Sequence, residues 1–205
     1  MTDYQAMLAL IRGRRSVREF TDRPVERADI ERMVEAARWA PSNHNRQGWK
    51  FLVFQDRAAL RSLADAVRAA VTSRLGRCGR LPPEEAARMV HYATLFAEAP
   101  CAVLVLHKRS VAIGREVLEG LDRPELVSGE PLSAAMAVQN LLLAAHCLGL
   151  GACVATAPLL AAEVWRDQAD LPAGFEPTCV VAVGHPRRQP PPPVRKPLEQ
   201  ILELR

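Results

Sequence analysis

Apolar positions along the 205 residues recur at helical spacing in some stretches and run unbroken in others. Tyr4, Met7, Leu8 and Ile11 recur at three and four, predicting an amphipathic helix within the first fifteen residues. Ile30, Met33, Val34 and Ala37 form the stripe of a second helix, with Asp29 at its N-cap and Arg32 where a capping box would place Glu. Pro41 stops that helix, and 42–48 is a polar loop. Residues 49–54 (WKFLVF) read as a strand, and 57–70 as a helix on Leu60, Leu63, Ala64 and Val67. Residues 72–83, with Arg74, Gly76, Arg77, Gly79 and Arg80, read as a mobile basic loop, and 84–96 as a helix.

The run 101–106 is continuously apolar, as in a strand buried on both faces. Residues 108–131 show no firm period and read as loop with a short helix. Residues 132–148 are apolar nearly all round, which predicts the central buried helix, ended by Gly149-Leu150-Gly151. Residues 153–156 are short strand or loop, 158–168 helix, and 178–183 a third strand. Four prolines at 190–193 open an extended tail. Helices interspersed with three buried-type strands predict one three-layer α+β or α/β domain over 1–205, without repeat or linker.

Composition narrows this picture. Apolar residues at 49% and charged residues at 24% exclude disordered and collagen-like classes. The 27 basic residues comprise 24 Arg and 3 Lys, and Arg offers a planar fork suited to phosphate and carboxylate. A net charge of +4 is too small to argue nucleic acid, but it leaves room for an anionic small ligand. Five scattered Cys without a CxxC pair argue against a disulfide framework, and Cys101, Cys147, Cys153 and Cys179 lie in apolar runs as core residues. The longest apolar region, 134–162, is broken by polar residues, glycines and Pro158, so no membrane span is expected. The first positive charges follow a short apolar stretch, the reverse of a secretory signal, so a cytoplasmic setting is expected.

No Walker A, HExxH or GxSxG motif is present, and His44, His91, His107, His146 and His185 are spaced too irregularly for a metal site. An enzyme built on this chain would therefore rely on a bound cofactor. Three polar clusters remain. Arg14, Arg15, Ser16 and Arg18 make a phosphate grip or a solvated helix end. Residues 41–47 suit the polar edge of a planar ligand or form a plain loop; Arg195 belongs to a third site or a frayed tail.

Four blocks, in order, carry a resemblance: RRSVREF…PV, AARWAPSNHNRQGWKFLVF, LSAAMAVQNLLLAAHCLGLGAC and GFEPTCVVAVGHP…PPPVRKPLEQIL. From about residue 9 onward the chain resembles the FMN-dependent nitroreductase family. The resemblance implies an α+β, three-layer α/β/α fold with a mainly antiparallel sheet, in an intertwined homodimer. It implies that Arg14, Arg15 and Ser16 hold the FMN phosphate and ribityl chain, and that Arg195 completes the phosphate site. Arg18 would reach the pyrimidine side, where reduced flavin carries negative charge. Pro41, Ser42, Asn43 and Asn45 would reach the flavin from the partner protomer, and backbone around Val154 and Ala155 would approach N5. The stiff proline run would lie in a C-terminal arm, about 187–205, that wraps the partner.

The implied activity is a ping-pong oxidoreductase in which FMN carries the chemistry and no residue or metal is catalytic. NADH or NADPH would reduce flavin N5, and a nitroaromatic, quinone or similar small electron-poor acceptor would then be reduced. An alternative keeps the flavin but oxidises a biosynthetic intermediate, such as an azoline, with oxygen as acceptor. A remote alternative is a non-catalytic module with a polyproline ligand tail. Neither nucleic acid nor membrane is an expected partner. Gly48 stands where the family usually has the Pro of Gln-Pro-Trp, and is expected to loosen the start of the strand. The basic segment 74–80 either lines a substrate pocket or is surface loop, and nothing from the family is carried onto 70–130.

Overall fold

In the computed structural model, which describes residues 3–109 and 129–205, four strands form one sheet. They are β1 (Trp49–Phe54), β2 (Cys101–Lys108), β3 (Gly151–Ala155) and β4 (Phe175–Gly184), in the order β1-β2-β4-β3 with every pairing antiparallel. The unbroken apolar run of β2 follows from its central place, because successive side chains enter different layers. Cys101, Val103 and Val105 pack into one cluster with α2 (Arg27–Ala37) and α5 (Gly129–Cys147). Ala102, Leu104 and Leu106 pack into the other, with α3 (Arg57–Cys78), α4 (Pro83–Thr94) and α6 (Ala162–Gln168). The architecture is therefore α+β in three layers. On the outer layer Trp165 is fully buried, its ring 5.1 Å from Phe96 and 6.4 Å from Phe54. Its Nε1 donates to the Pro158 carbonyl at 3.0 Å.

Several expectations are corrected. Helix α3 does not stop at 70; it continues to Cys78 and ends at Gly79 in the left-handed region, φ 62°. Residues 72–78 are thus helix, not loop, because Leu and Arg are good helix formers and Leu75 is partly buried against the core. Arg74 in that stretch pairs with Glu163 at 3.1 Å. Helix α2 begins at Arg27, so Asp29 sits in its first turn, bonded to Arg32 at 3.1 Å, and Glu26 is the N-cap. Residues 153–155 belong to strand β3, and β4 starts at Phe175. A 3-10 turn over Ala157–Ala161 precedes α6. The predicted loop with a short helix over 108–131 falls largely outside the described residues.

Helix α5 is the central helix, but it is not buried all round. Ser133, Ala134, Ala137, Leu141 and Ala145 face the core, whereas Leu132 is 63% exposed and Met136 is also exposed. Helix α1 (Tyr4–Gly13) is amphipathic as expected, yet it buries none of its residues. Its apolar side chains Tyr4, Met7 and Ile11 stand in solvent. No helix among the described residues is long and apolar enough to cross a membrane.

Candidate functional site

Arg14 caps α1, its N–H bonded to the Leu10 carbonyl at 3.2 Å, and the chain then extends. Ser16 bridges Ala152 in parallel, and Val17 N donates to the Ala152 carbonyl at 3.1 Å, so the segment lies along the free edge of β3. Alternation turns Val17 inward and leaves Ser16 and Arg18 outward, and Phe20 is buried further along, past the exposed Glu19. The close approach depends on Gly151: a Cβ there would lie 2.7 Å from Val17 Cβ. Gly151→Ala should push Ser16 and its arginine neighbours off β3 and cost about 1–3 kcal/mol by overpacking, measurable as a lowered urea midpoint.

The tail returns to the same place. Arg187 N donates to the Glu19 carbonyl at 2.9 Å, and Arg188 pairs with the Glu19 carboxylate at 2.6 Å. Pro190, Pro191 and Pro193 then form one wall of a cavity of about 360 Å³, and Arg14, Arg15, Ser16, Arg18 and Arg195 line the rest. Among the described residues no carboxylate lines it. Arg15 Nη1 bonds to the carbonyls of Arg12 and Arg14, while its Nε is buried without a partner among the described residues. Four guanidinium groups, a hydroxyl and an orphaned N–H make a donor set suited to a phosphate dianion.

Arg18 is held from the far side by Tyr92 of α4, whose ring centroid is 5.9 Å from the guanidinium carbon. Tyr92 is absent from the sequence-derived candidates: no motif surrounds it, and nothing local ties it to Arg18. Val154 on β3 is exposed beside this cluster and Ala155 is half-buried. Burial raises the Cys153 thiol pKa, with Arg18 and Arg14 pulling the other way. Burial pushes Cys101 and Cys179 up to about 12. Cys147, expected in the core, is instead exposed at the end of α5, as is Cys78 on α3. Iodoacetamide at mildly alkaline pH should therefore modify Cys78 and Cys147 first and spare the three buried thiols, as peptide mass spectrometry would read out.

The second predicted set stands elsewhere. Asn43–Asn45 form a 3-10 turn in a loop with left-handed φ at His44 (49°), Asn45 (54°) and Gln47 (49°). Ser42 Oγ accepts from Gln47 N at 2.9 Å, and Asn43 N donates to Ser133 Oγ at 3.1 Å, which holds the loop against the start of α5. Glu130 lies beneath it, 3% exposed, 3.7 Å from Arg46, with Oε2 buried and unpartnered among the described residues. Gly48 does not loosen this region. Its carbonyl accepts from Lys108 N at 2.6 Å, and a Cβ would lie 2.7 Å from Glu130 Oε2, so the glycine makes room for the buried carboxylate.

Within one protomer the two sets do not meet. Pro41, Ser42, Asn43 and Asn45 line none of the arginine cavity. Asn43 sits at Ser133, whereas Gly13, just before Arg14, sits against His146. Those positions are thirteen residues apart on α5, about 20 Å at the helical rise.

The model of the Nitroreductase family matches residues 11–185. A protein of Archaeoglobus fulgidus, provisionally named NADH dehydrogenase/NAD(P)H nitroreductase, is 32% identical over 144 residues. That match covers 70% of this chain and 63% of the relative, so the chain spans less than two thirds of its length. The 5,6-dimethylbenzimidazole synthase of Rhodospirillum rubrum is 30% identical over 193 residues, covering 90% of this chain and 84% of the relative. Among solved structures, a BluB-like flavoprotein from Clostridium difficile 630 superposes with a TM-score of 0.80 at 26% identity, covering 100% of this chain and 99% of the other.

Proposed function

Since the chain belongs to the nitroreductase family of oxidoreductases, we propose that it is an FMN-dependent NAD(P)H oxidoreductase acting on a small electron-poor acceptor, such as a nitroaromatic or quinone. The observation that carries this reading is the carboxylate-free cavity of Arg14, Arg15, Ser16, Arg18 and Arg195, with the buried Arg15 Nε unsatisfied. Bound FMN would supply the redox chemistry, accepting hydride from NADH or NADPH and passing electrons to the acceptor. Arg14, Arg15 and Arg195 hold its phosphate and Ser16 the ribityl chain, while Arg18 places a fixed cation where negative charge gathers on the reduced ring. Exposed Val154 and half-buried Ala155 of β3 would present strand backbone to it. The protein's part is thus to orient and to stabilise charge.

The working unit in this proposal is a homodimer. Three features support it: the uncovered apolar faces of α1 and of α5 at Leu132 and Met136, the exposed apolar tail, and the distance between the two predicted site halves. Pro41, Ser42, Asn43 and Asn45 of each protomer then complete the other protomer's site.

A second reading retains FMN and runs with oxygen as acceptor on a biosynthetic intermediate; the similarity to a relative named as a synthase, over 90% of this chain, favours it. An absorbance spectrum of the purified protein tests both. A yellow protein, or FMN uptake on soaking, is expected, with rapid anaerobic bleaching by NADH or NADPH. A flavin that stays oxidised with both nucleotides would select the second reading. A colourless protein that takes up no FMN would overturn both.

A further inference from the structure

Between the ends of α3 and α4 lies a cavity of about 640 Å³, larger than the arginine-lined one. Leu75, Leu81, Ala86, Val90 and Leu95 give it an apolar lining, and Arg68, Thr72, His91 and Glu98 place polar groups on it. That volume and that mixture are typical of small-molecule sites.

Its wall is kept bare. Gly76 lines it from within α3, where glycine is the poorest helix former apart from proline. Crowding does not explain the glycine, because a Cβ at 76 would meet no atom within 4 Å. Gly79, which also lines the cavity, is accounted for by its left-handed φ of 62° at the helix end, so Gly76 alone is the unexplained glycine. Charge is left available as well. Arg68 forms no ion pair among the described residues, so its guanidinium is open to a ligand in the cavity, whereas Arg74, further along the same helix, is held by Glu163. Glu98 lies on the side shared with an adjoining cavity of about 450 Å³, whose wall includes Arg18 and Arg187. His91 and Leu95 are the other shared residues, so among the described residues Arg68 is the cation that belongs to the larger cavity alone.

We propose that this α3–α4 cavity is a second small-molecule site, taking a flat apolar molecule of one or two rings that carries a single carboxylate. The ring system packs against Leu75, Leu81 and Val90, and the carboxylate meets Arg68, whose fork fits it bidentately. The ligand then lies one residue along α4 from Tyr92, the side chain that stands against Arg18. The site needs no flavin and is built from residues outside the proposed flavin grip.

The probe is 2-naphthoate, titrated calorimetrically into the flavin-free and the FMN-loaded protein. One saturable site per protomer is expected in both forms. Arg68→Ala should weaken binding by about tenfold or more through loss of a charge-assisted pair, and Gly76→Leu should abolish it by filling the cavity. Both variants should keep the wild-type FMN content and melt no earlier than wild type. Absence of saturable binding, or binding unchanged in Arg68→Ala, overturns the proposal. So does binding that Arg14→Ala removes, since that would put naphthoate in the flavin grip. Because the flavin-free form is titrated too, failure here is separable from failure of the FMN reading.

Discussion

Removing residues 187–205 will give a colourless monomer that keeps its fold. Within the protomer the segment is tied mainly by the backbone hydrogen bond from Arg187 N to the Glu19 carbonyl, worth about 1 kcal/mol, and by the exposed Arg188–Glu19 ion pair, worth about 0–1 kcal/mol. Far-UV circular dichroism should therefore change little and the melting temperature should fall only slightly. The losses fall on binding. Arg195 and the three prolines that wall the arginine cavity leave together. So do Val194, 98% exposed, and Leu198, Ile201 and Leu204, all exposed, whose apolar surface needs a cover from outside the protomer. Flavin absorbance and light scattering read the two losses separately. A truncated protein that stays yellow and dimeric would return the proline run to a surface role, such as a polyproline ligand.

Trp165→Ala should cost about 3–5 kcal/mol, the usual range for deleting a large buried aromatic. Trp165 has no exposed surface; it fills the space between Phe54 of β1 and Phe96, and its indole N–H satisfies the Pro158 carbonyl. Alanine leaves a cavity, removes two aromatic contacts and strips that carbonyl of its donor. Against a typical total of about 5–15 kcal/mol, the variant would lose about a fifth or more of its stability. Urea unfolding followed by tryptophan fluorescence or circular dichroism measures it. A cost below about 1 kcal/mol would mean that the outer layer collapses around the gap.

The strands were the most legible part of the sequence. The apolar run 101–106 reads correctly as buried on both faces, and Ile30, Met33 and Ala37 of α2 face the core as their spacing predicts. Legibility fails where the deciding contact lies far away in the chain. Gly76 and the arginines around it look like loop, and only packing of Leu75 and Arg74 against distant partners shows why α3 continues. Gly48 looks like slack until Glu130 is found beneath it, and Tyr92 carries no local sign of Arg18. The candidate site divides in the same way. Arg14, Arg15, Ser16 and Arg18 are contiguous, so the grip is visible as a cluster. That Arg195 joins them is not, because the returning tail depends on Glu19. The apolar period of α1 is correctly read as helix, but periodicity does not say what covers the stripe, and its own protomer does not.

That uncovered helix has a thermodynamic consequence. Ten residues are too few for a helix to persist alone in water, and α1 gains no buried side chain at home. Arg14 is the residue that caps it. In the proposed dimer, the order of α1 and the position of Arg14 therefore both depend on association. Cofactor occupancy and protomer concentration become linked variables: flavin tightens the association, association tightens flavin binding by the same factor, and dilution therefore favours flavin release. A flavin dissociation constant or a melting temperature for this chain is then defined only at a stated protein concentration.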